Sequence, residues 1–539
     1  GPGTDYAYLL GDDDTPLPDP RSRWQPEGVH GRSRVYDDSA HQWSDEGWTG
    51  RQLAGSVLYE LHIGTFTPDG TFDAAIGKLD HLVDLGVDLV EVLPVNAFNG
   101  AHNWGYDGVG WYAVHEPYGG PDGFKRFVDA CHRRGLGVVL DVVHNHLGPS
   151  GAYLPRFGPY LKEGRNTWGQ LVNLDGPGCA DVRRYIVDNV LMWLRDYHVD
   201  GLRLDAVHAL VDHSATHLLE DMAVQTEALS AHLRRPLTLI AESDLNDPRL
   251  VTARDGGGYG LTAQWDDDVH HALVALLTGE RQGYYADFGS LPVLAKALTE
   301  AFVHDGGWSA FRRRPHGRPV DRTRIPGYRF VVCLQNHDQV GNRATGDRLA
   351  TLVSPALLRV GSALLLTAPY TPMLWMGEEW GATTPWQFFT SHPEPELAQR
   401  YDQSRRDEFA DHGWSTSDIP SPQDPETFFR SKLDWKEAEQ DEPAALLDWY
   451  RRLIALRRSR PELTDPRLDQ VAVRYDAEAR WVVVSRGRLR VAANLAADRQ
   501  EIPLDGTPLA MLLPSTPGFI YRDGVIELDG ESVAIVELA

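Results

Sequence analysis

From Arg51 onward, short apolar runs alternate with stretches whose apolar residues recur every three or four positions. The runs have the length of strands, and the stretches have the period of helices. Residues 57–62 read as a first strand, and 72–85 as a helix with Ile76, Leu79, Leu82 and Val83 on one face and Gly86 at its stop. A second strand at 89–94 leads to a helix over 122–134, ended by Gly135, and then to a third strand at 138–143. The helix at 182–197, with Ile186, Val190, Trp193 and Leu194 inward, feeds a fourth strand starting at Gly201. Runs at 237–241, 261–265, 330–334 and 373–376 complete eight.

Strands separated by helices pair in parallel through right-handed crossovers. Eight such units predict an α/β fold, the (β/α)8 TIM barrel, whose chemistry sits at the carboxyl ends of the strands. The barrel is expected over 51–460, closing with a Leu- and Arg-rich helix at 444–460. Two polar insertions, 145–175 after the third strand and 381–434 after the eighth, are too long for plain connections and would build walls on the catalytic face. Past Pro461 the pattern changes to short alternating strands at 471–475, 481–485, 489–494 and 533–538. That predicts a C-terminal antiparallel β-sandwich domain over 461–539. Residues 1–50 are rich in Asp, Pro and Arg and carry only a weak strand signal.

Composition narrows the class. A chain of 539 residues is too long for one ordinary core, and 42% hydrophobic with 24% charged residues is usual for a soluble enzyme. The net charge of -25 disfavours nucleic acid and anionic membranes and fits a neutral ligand. No apolar stretch is long enough to cross a bilayer. The N-terminus lacks a basic-apolar-small signal, which points to the cytoplasm. Cys131, Cys179 and Cys333 form neither a disulfide framework nor metal-type pairs, and Cys131 and Cys333 read as small core residues.

Three acids stand where a core would not choose them: Asp205, Glu242 and Asp338, each just past an apolar strand-like run. Ionised oxygens lose hydration there, so their convergence suggests a catalytic floor. Carboxylates that divide the roles of nucleophile and proton donor suit cleavage of a glycosidic bond. A single such Asp would as readily cap a helix. Arg203, two residues before Asp205, points to the same strand face, where its cation favours a carboxylate.

The segments Asp141-Val142-Val143-His144-Asn145-His146, Gly201-Leu202-Arg203-Leu204-Asp205, Ala241-Glu242-Ser243 and Asn336-His337-Asp338 resemble the four signature regions of the α-amylase family of glycoside hydrolases, in the family's order. The resemblance covers roughly nine-tenths of the chain on ordinary domain sizes. It implies that Asp205 is the nucleophile, Glu242 the general acid and then base, and Asp338 a stabiliser of the oxocarbenium-like transition state. Retaining chemistry of this kind puts the first two carboxyls about 5 to 5.5 Å apart and needs a Glu242 pKa above that of a free Glu. It further implies that His146 and His337 bond sugar hydroxyls and that Tyr106, in Trp104-Gly105-Tyr106-Asp107, is an aromatic platform under the reacting glucose. His144 reads only as a strand-end residue.

Within the family, the stretches 203–208, 265–271, 334–343 and 376–380 resemble a subfamily that frees trehalose from maltooligosyl trehalose. Its members carry an immunoglobulin-like domain before the barrel, which implies that 1–50 are the tail of such an N-terminal β domain, its remnant over 6–39, and a connector. Resemblance assigns substrate contacts to Asp267, Asp268, His270 and His271, and also to Gln339, Asn342 and Arg343, with His208 beyond the cleavage point. Read from the residues alone, the two acids and two histidines could suggest a metal, but adjacent helical positions face different ways and no further ligand spacing supports a site. No cofactor is expected. Asn145 matches a position that binds calcium in some members, without a cluster of further oxygen donors. The subfamily implies a pathway partner, maltooligosyltrehalose synthase. Trp168, Trp386, Phe388 and Phe389 are candidate sugar-stacking walls. Two competing readings are an α-1,6-acting glucan branching or debranching enzyme and an inactive carbohydrate-binding barrel protein.

Overall fold

The computed structural model describes residues 1–410, 419–522 and 524–539. All eight expected runs form parallel strands that close into a barrel in chain order. They are β1 (Leu58–Leu61), β2 (Leu89–Val92), β3 (Gly137–Val142), β4 (Gly201–Leu204), β5 (Thr238–Ala241), β6 (Ala263–Trp265), β7 (Phe330–Cys333) and β8 (Thr371–Trp375). Side chains alternate along a strand, so every second residue points into the barrel. Leu58, Leu89, Val139, Ile240, Ala263, Val331 and Met373 form an apolar plug there. The opposite set, including Tyr59, Val90, Leu140 and Val332, joins the larger core under the helices.

Two residues past Leu58, Leu89 and Val139, the same inward face carries Glu60, Glu91 and Asp141, and β4 adds Arg203. Barrel layers are ordinarily filled by branched apolar residues. Here four charged side chains, each 1% exposed or less, occupy the layer below the catalytic face.

The helix expected over 72–85 is two helices, Phe72–Ile76 and Leu79–Leu85, parted at Gly77 and Lys78. The break resets the buried face: Leu79, Leu82 and Leu85 are buried, whereas Val83, expected inward, is 41% exposed. Gly120–Arg133, Cys179–Asp196 and Asp441–Ser459 match the other expected helices closely. The first insertion holds a hairpin of Leu161–Arg165 and Gln170–Val172. The second holds helices Pro395–Ala410 and Pro425–Arg430, and its residues 411–418 lie outside the described residues. Two antiparallel ribbons were not anticipated, Asn96–Ala97 with Gly110–Val114 after β2, and Trp308–Ser309 with Arg314–Pro315 after β6. Cys131 and Cys333 are buried as expected.

Past the last barrel helix, two antiparallel sheets of five and three strands pack face to face. Val483, Ala492 and Val536 from one sheet and Ile502, Ile526 and Leu528 from the other share a core, which is the expected sandwich. In the larger sheet Ser532–Leu538 lies between Leu489–Asn494 and Pro508–Pro514. The N-terminal residues form two ribbons, Asp5–Tyr6 with Ser33–Arg34 and Tyr8–Leu10 with Asp13–Leu17. These do not define an immunoglobulin-like sandwich. Among the described residues no helix is long and apolar enough to cross a membrane.

Candidate active site

A cleft of about 780 Å³ opens at the carboxyl ends of the strands, and Asp205, Glu242 and Asp338 all line it. Asp205 directly follows β4 and Glu242 directly follows β5, while Asp338 sits in the first turn of a short helix, His337–Gly341, past β7. Asn336 caps that helix by accepting from the Gln339 N–H at 2.8 Å.

One guanidinium organises the three acids. Arg203 Nη1 donates to Asp205 Oδ1 at 2.7 Å and to both oxygens of Asp141 at 3.0 Å. Its Nη2 has no hydrogen-bond partner among the described residues and lies 3.7 Å from Glu242 Oε2 and 3.9 Å from Asp338 Oδ2. An unpaired buried cation would be costly, and each of these carboxylates offsets that cost. Asn145 Nδ2 holds Asp205 from the other side, 2.8 Å from Oδ2, and its Oδ1 meets His146 Nδ1 at 2.7 Å. Both ends of the Asn145 side chain are thus engaged within the protein.

Glu242 Oε2 accepts from the Ala206 N–H at 2.7 Å. Ala206 adopts the left-handed conformation (φ 41°), which its β-carbon disfavours. Backbone strain at the residue between the two reacting acids is a common mark of a site held for function. Burial pushes the Glu242 carboxyl up to about 8, with the charges of Asp205, Asp338 and Asp267 adding to the rise and Arg203 opposing it. Burial likewise raises Asp141 to about 7. Burial would raise Asp338 too, but the cations of His337 and Arg203 outweigh it and hold that carboxyl below its ordinary value. Neighbouring acids with pKa values driven apart are the arrangement that acid–base chemistry requires.

Tyr106 borders the cleft on a loop that turns tightly at Gly105 (φ 110°), where a β-carbon would sit 2.3 Å from the Pro94 carbonyl oxygen. The Tyr106 hydroxyl donates to Asp141 Oδ2 at 2.6 Å and lies 2.8 Å from His337 Nε2, with the two rings stacked. His337 is 1% exposed; its backbone N–H donates to Glu60 Oε2 at 3.0 Å and its Nδ1 contacts Glu60 Oε1. Burial would strip the ring of its proton, but Asp338 and Glu60 drive its pKa well above the ordinary value.

Of the expected substrate contacts, Tyr106, His146, His208, Asp267, His271, Gln339 and Asn342 line the cleft, with Arg203 and His337 just beneath. Three residues are not brought to it. Asp268 Oδ2 accepts from Asn246 Nδ2 and from the Val303 and His304 N–H groups, and His270 is held between the Leu334 carbonyl and Tyr285. On the helix Asp267–Thr278, Asp267 and His271 are one turn apart and share the cleft face, so Asp268 and His270, which lie between them, turn into the wall. Arg343 forks onto Glu280 at 2.8 and 3.0 Å. His144 is buried against Asn189, the structural part expected of it.

Among the candidate walls, Trp168 (48% exposed) and Phe388 line the cleft. Trp386 stacks on Trp104 and Phe389 packs on His62 and Phe428, both fully buried in the core. Sequence reasoning missed Asp244, Tyr284, Phe311 and Arg312 on one side, and Tyr401 and Arg405 on the other. Phe311 and Arg312 lie at the tip of the ribbon after β6, inside an Arg-rich stretch with no periodicity to mark it. Among the described residues no cluster of three or more His, Cys, Asp or Glu side chains could hold a metal ion.

Residues 34–163 match the family described as alpha amylase, catalytic domain, and 466–535 match one described as a domain of unknown function (DUF3459). The chain is 58% identical over its whole length to a malto-oligosyltrehalose trehalohydrolase from Rhizobium sp. (strain M-11), covering 89% of that protein. It is 57% identical, over 99% of its length and 91% of the relative, to a protein of the same description from Arthrobacter ramosus. Among solved structures it is similar to a putative alpha amylase from Salmonella typhimurium, with a TM-score of 0.90, 41% identity, and coverage of 100% of this chain and 91% of that one.

Proposed function

Since the chain belongs to the malto-oligosyltrehalose trehalohydrolase family, we propose that it hydrolyses the α-1,4-glucosidic bond next to the terminal trehalose of maltooligosyl trehalose. Products are free trehalose and a shortened maltooligosaccharide. The observation that carries the chemistry is the single guanidinium within 4 Å of Asp205, Glu242 and Asp338. In this reading Asp205 attacks the anomeric carbon while Glu242 protonates the leaving oxygen. A glycosyl-enzyme forms, and water activated by Glu242 then releases it with retained configuration. Asp338 bonds hydroxyls of the distorted sugar, and Tyr106 covers its C–H face. An enzyme supplying the 1,1-linked end, maltooligosyltrehalose synthase, is the expected pathway partner.

The leaving trehalose is placed on the Glu242 side, since the proton donor must reach the departing oxygen. There Asp244 faces His208 Nε2 at 3.8 Å and Arg312 Nη2 at 3.4 Å, with Phe311 (47% exposed) and Trp168 as apolar faces. A fork of fixed polar groups between aromatic faces suits a compact disaccharide with no reducing end. Arg312→Ala is expected to raise KM for maltopentaosyl trehalose and to weaken trehalose inhibition by about 10-fold, the worth of one hydrogen bond to a charged group. An unchanged inhibition constant would move the trehalose elsewhere. Incubation with maltopentaosyl trehalose and, separately, with branched glucan tests the whole reading. Trehalose release supports it, and exclusive release of α-1,6 branches would replace it with the debranching-enzyme alternative.

Glu242 must carry its proton to act as the acid. With its carboxyl at about 8, the protonated form is present below that value and lost above it. The first half-reaction is therefore expected to hold up to neutral pH and to decline as pH rises through about 8, measured by single-turnover kinetics. A flat profile to pH 10 would remove Glu242 from that role.

A further inference from the structure

The protons around His337 can be counted from its partners. Tyr106 has one phenolic hydrogen and gives it to Asp141 Oδ2, an oxygen that also accepts from Arg203. His337 Nε2, 2.8 Å from the phenolic oxygen and 3.3 Å from Asp338 Oδ1, is then the donor to both. Its Nδ1 faces the Glu60 carboxyl, which also accepts the His337 backbone N–H. A ring that donates from both nitrogens is an imidazolium.

The groups around that ring come from several elements. Glu60 and His62 belong to β1 and its exit, Asp338 to the ring's own helix, and Tyr106 to the loop before the ribbon strand Gly110–Val114. Asp141 on β3 and Arg203 on β4 stand behind Tyr106, while Trp104 and Trp265 meet the ring edge-on or tilted. His62 is held neutral by burial, its pKa lowered to about 3. Glu91, opposite Glu60 on β2, has both oxygens without a partner among the described residues, and burial beside Glu60 and Asp141 pushes its carboxyl far up. Burial thus favours the neutral form of Glu91, and the carboxyl that meets the His337 ring from below is that of Glu60.

We propose that Glu60 is a positioning residue of the hydrolysis, acting through His337 to hold the Tyr106 platform and the Asp338 carboxylate at the reacting sugar. Glu60 is itself sealed in the barrel below the cleft. The proposal rests on the glycosidase reading above and not on which end of the substrate is trehalose. Because Glu60 binds both the ring and the backbone N–H of the residue preceding Asp338, it fixes the helix start and the ring charge together.

The test is Glu60→Gln, which keeps the volume and an acceptor for the backbone N–H but removes the counter-charge. The expected result on maltopentaosyl trehalose is a kcat lowered by about 10- to 100-fold, the scale of a small misplacement of reacting groups, with KM changed less than about 3-fold. The alkaline limb of kcat should also move to lower pH, because the ring now loses its proton as pH rises through the ordinary imidazole range. Glu60→Asp, which restores the charge, should return the limb toward its wild-type position. A wild-type kcat in Glu60→Gln, or a loss of kcat with the limb unmoved, would overturn the proposal. If the wild type leaves maltopentaosyl trehalose uncut but cleaves maltoheptaose, the substrate reading fails and the same comparison is made on maltoheptaose. If Glu60→Gln does not fold, ¹⁵N-imidazole spectra of the wild type decide, with the signal assigned by its loss in His337→Asn. A doubly protonated His337 ring at pH 8 supports the proposal and a neutral ring refutes it.

Discussion

Glu242→Gln is expected to fold normally and to lose roughly 10²- to 10⁴-fold in kcat on maltooligosyl trehalose, the contribution of a positioned general acid. Gln can still accept the Ala206 N–H that Glu242 Oε2 now accepts, so the loop after β5 keeps its anchor. What disappears is the proton that burial and three neighbouring acids keep on the carboxyl. The deficit should therefore depend on the leaving group. A 4-nitrophenyl α-maltooligoside, whose phenolate departs without help, should still react quickly in the first step and stall as a glycosyl-enzyme. A burst of nitrophenolate would show this, and azide, which attacks without a base, should restart turnover with a retained product. Equal losses on both substrates, with no rescue by azide, would mean that Glu242 is not the acid.

Asp205→Asn carries the largest expected effect, a fall of roughly 10⁴- to 10⁶-fold, as when a covalent nucleophile is removed. The amide offers no anionic oxygen to the anomeric carbon, and Arg203 loses a carboxylate partner at 2.7 Å. Part of any stability change will come from Arg203, left with Asp141 as its hydrogen-bonded carboxylate, and not from the chemistry. A mechanism-based label separates the two. A 5-fluoro glycosyl fluoride should attach to the wild-type peptide bearing Asp205 and leave the variant unmodified. Labelling that persists in the variant, or maps to Asp338, would reassign the nucleophile.

The barrel was legible because eight apolar runs and the amphipathic stretches between them follow from elementary burial, which acts strand by strand. The sandwich was half legible: its hairpins at 471–494 alternate cleanly, whereas Pro503, Pro508, Pro514 and Gly518 break up the pattern where the other strands lie. The three acids were legible as strand-end anomalies. Glu60 and Glu91 carried the same kind of signal, one charge at the inward position of an apolar run, repeated by Asp141 and Arg203 on the next two strands. Only the closed barrel turns those four separate oddities into one layer. Asp268 and His270 were misplaced for the opposite reason, since a run of polar residues at a strand exit does not say where the helix phase begins. Phe311, Arg312 and Tyr401 depend on how distant loops fold over one another, which no local pattern encodes.

The position of Ser532–Leu538 in the middle of its sheet has a bearing on how the polypeptide is assembled. The hairpin ending at Asn494 and the strand Pro508–Pro514 have no direct partner in each other; each waits for a segment synthesised after both. During translation the barrel can close while this domain still exposes two unpaired edges, which invite wrong pairing with other nascent chains. Its maturation is thus gated by the arrival of a single late β-segment that acts as a keystone.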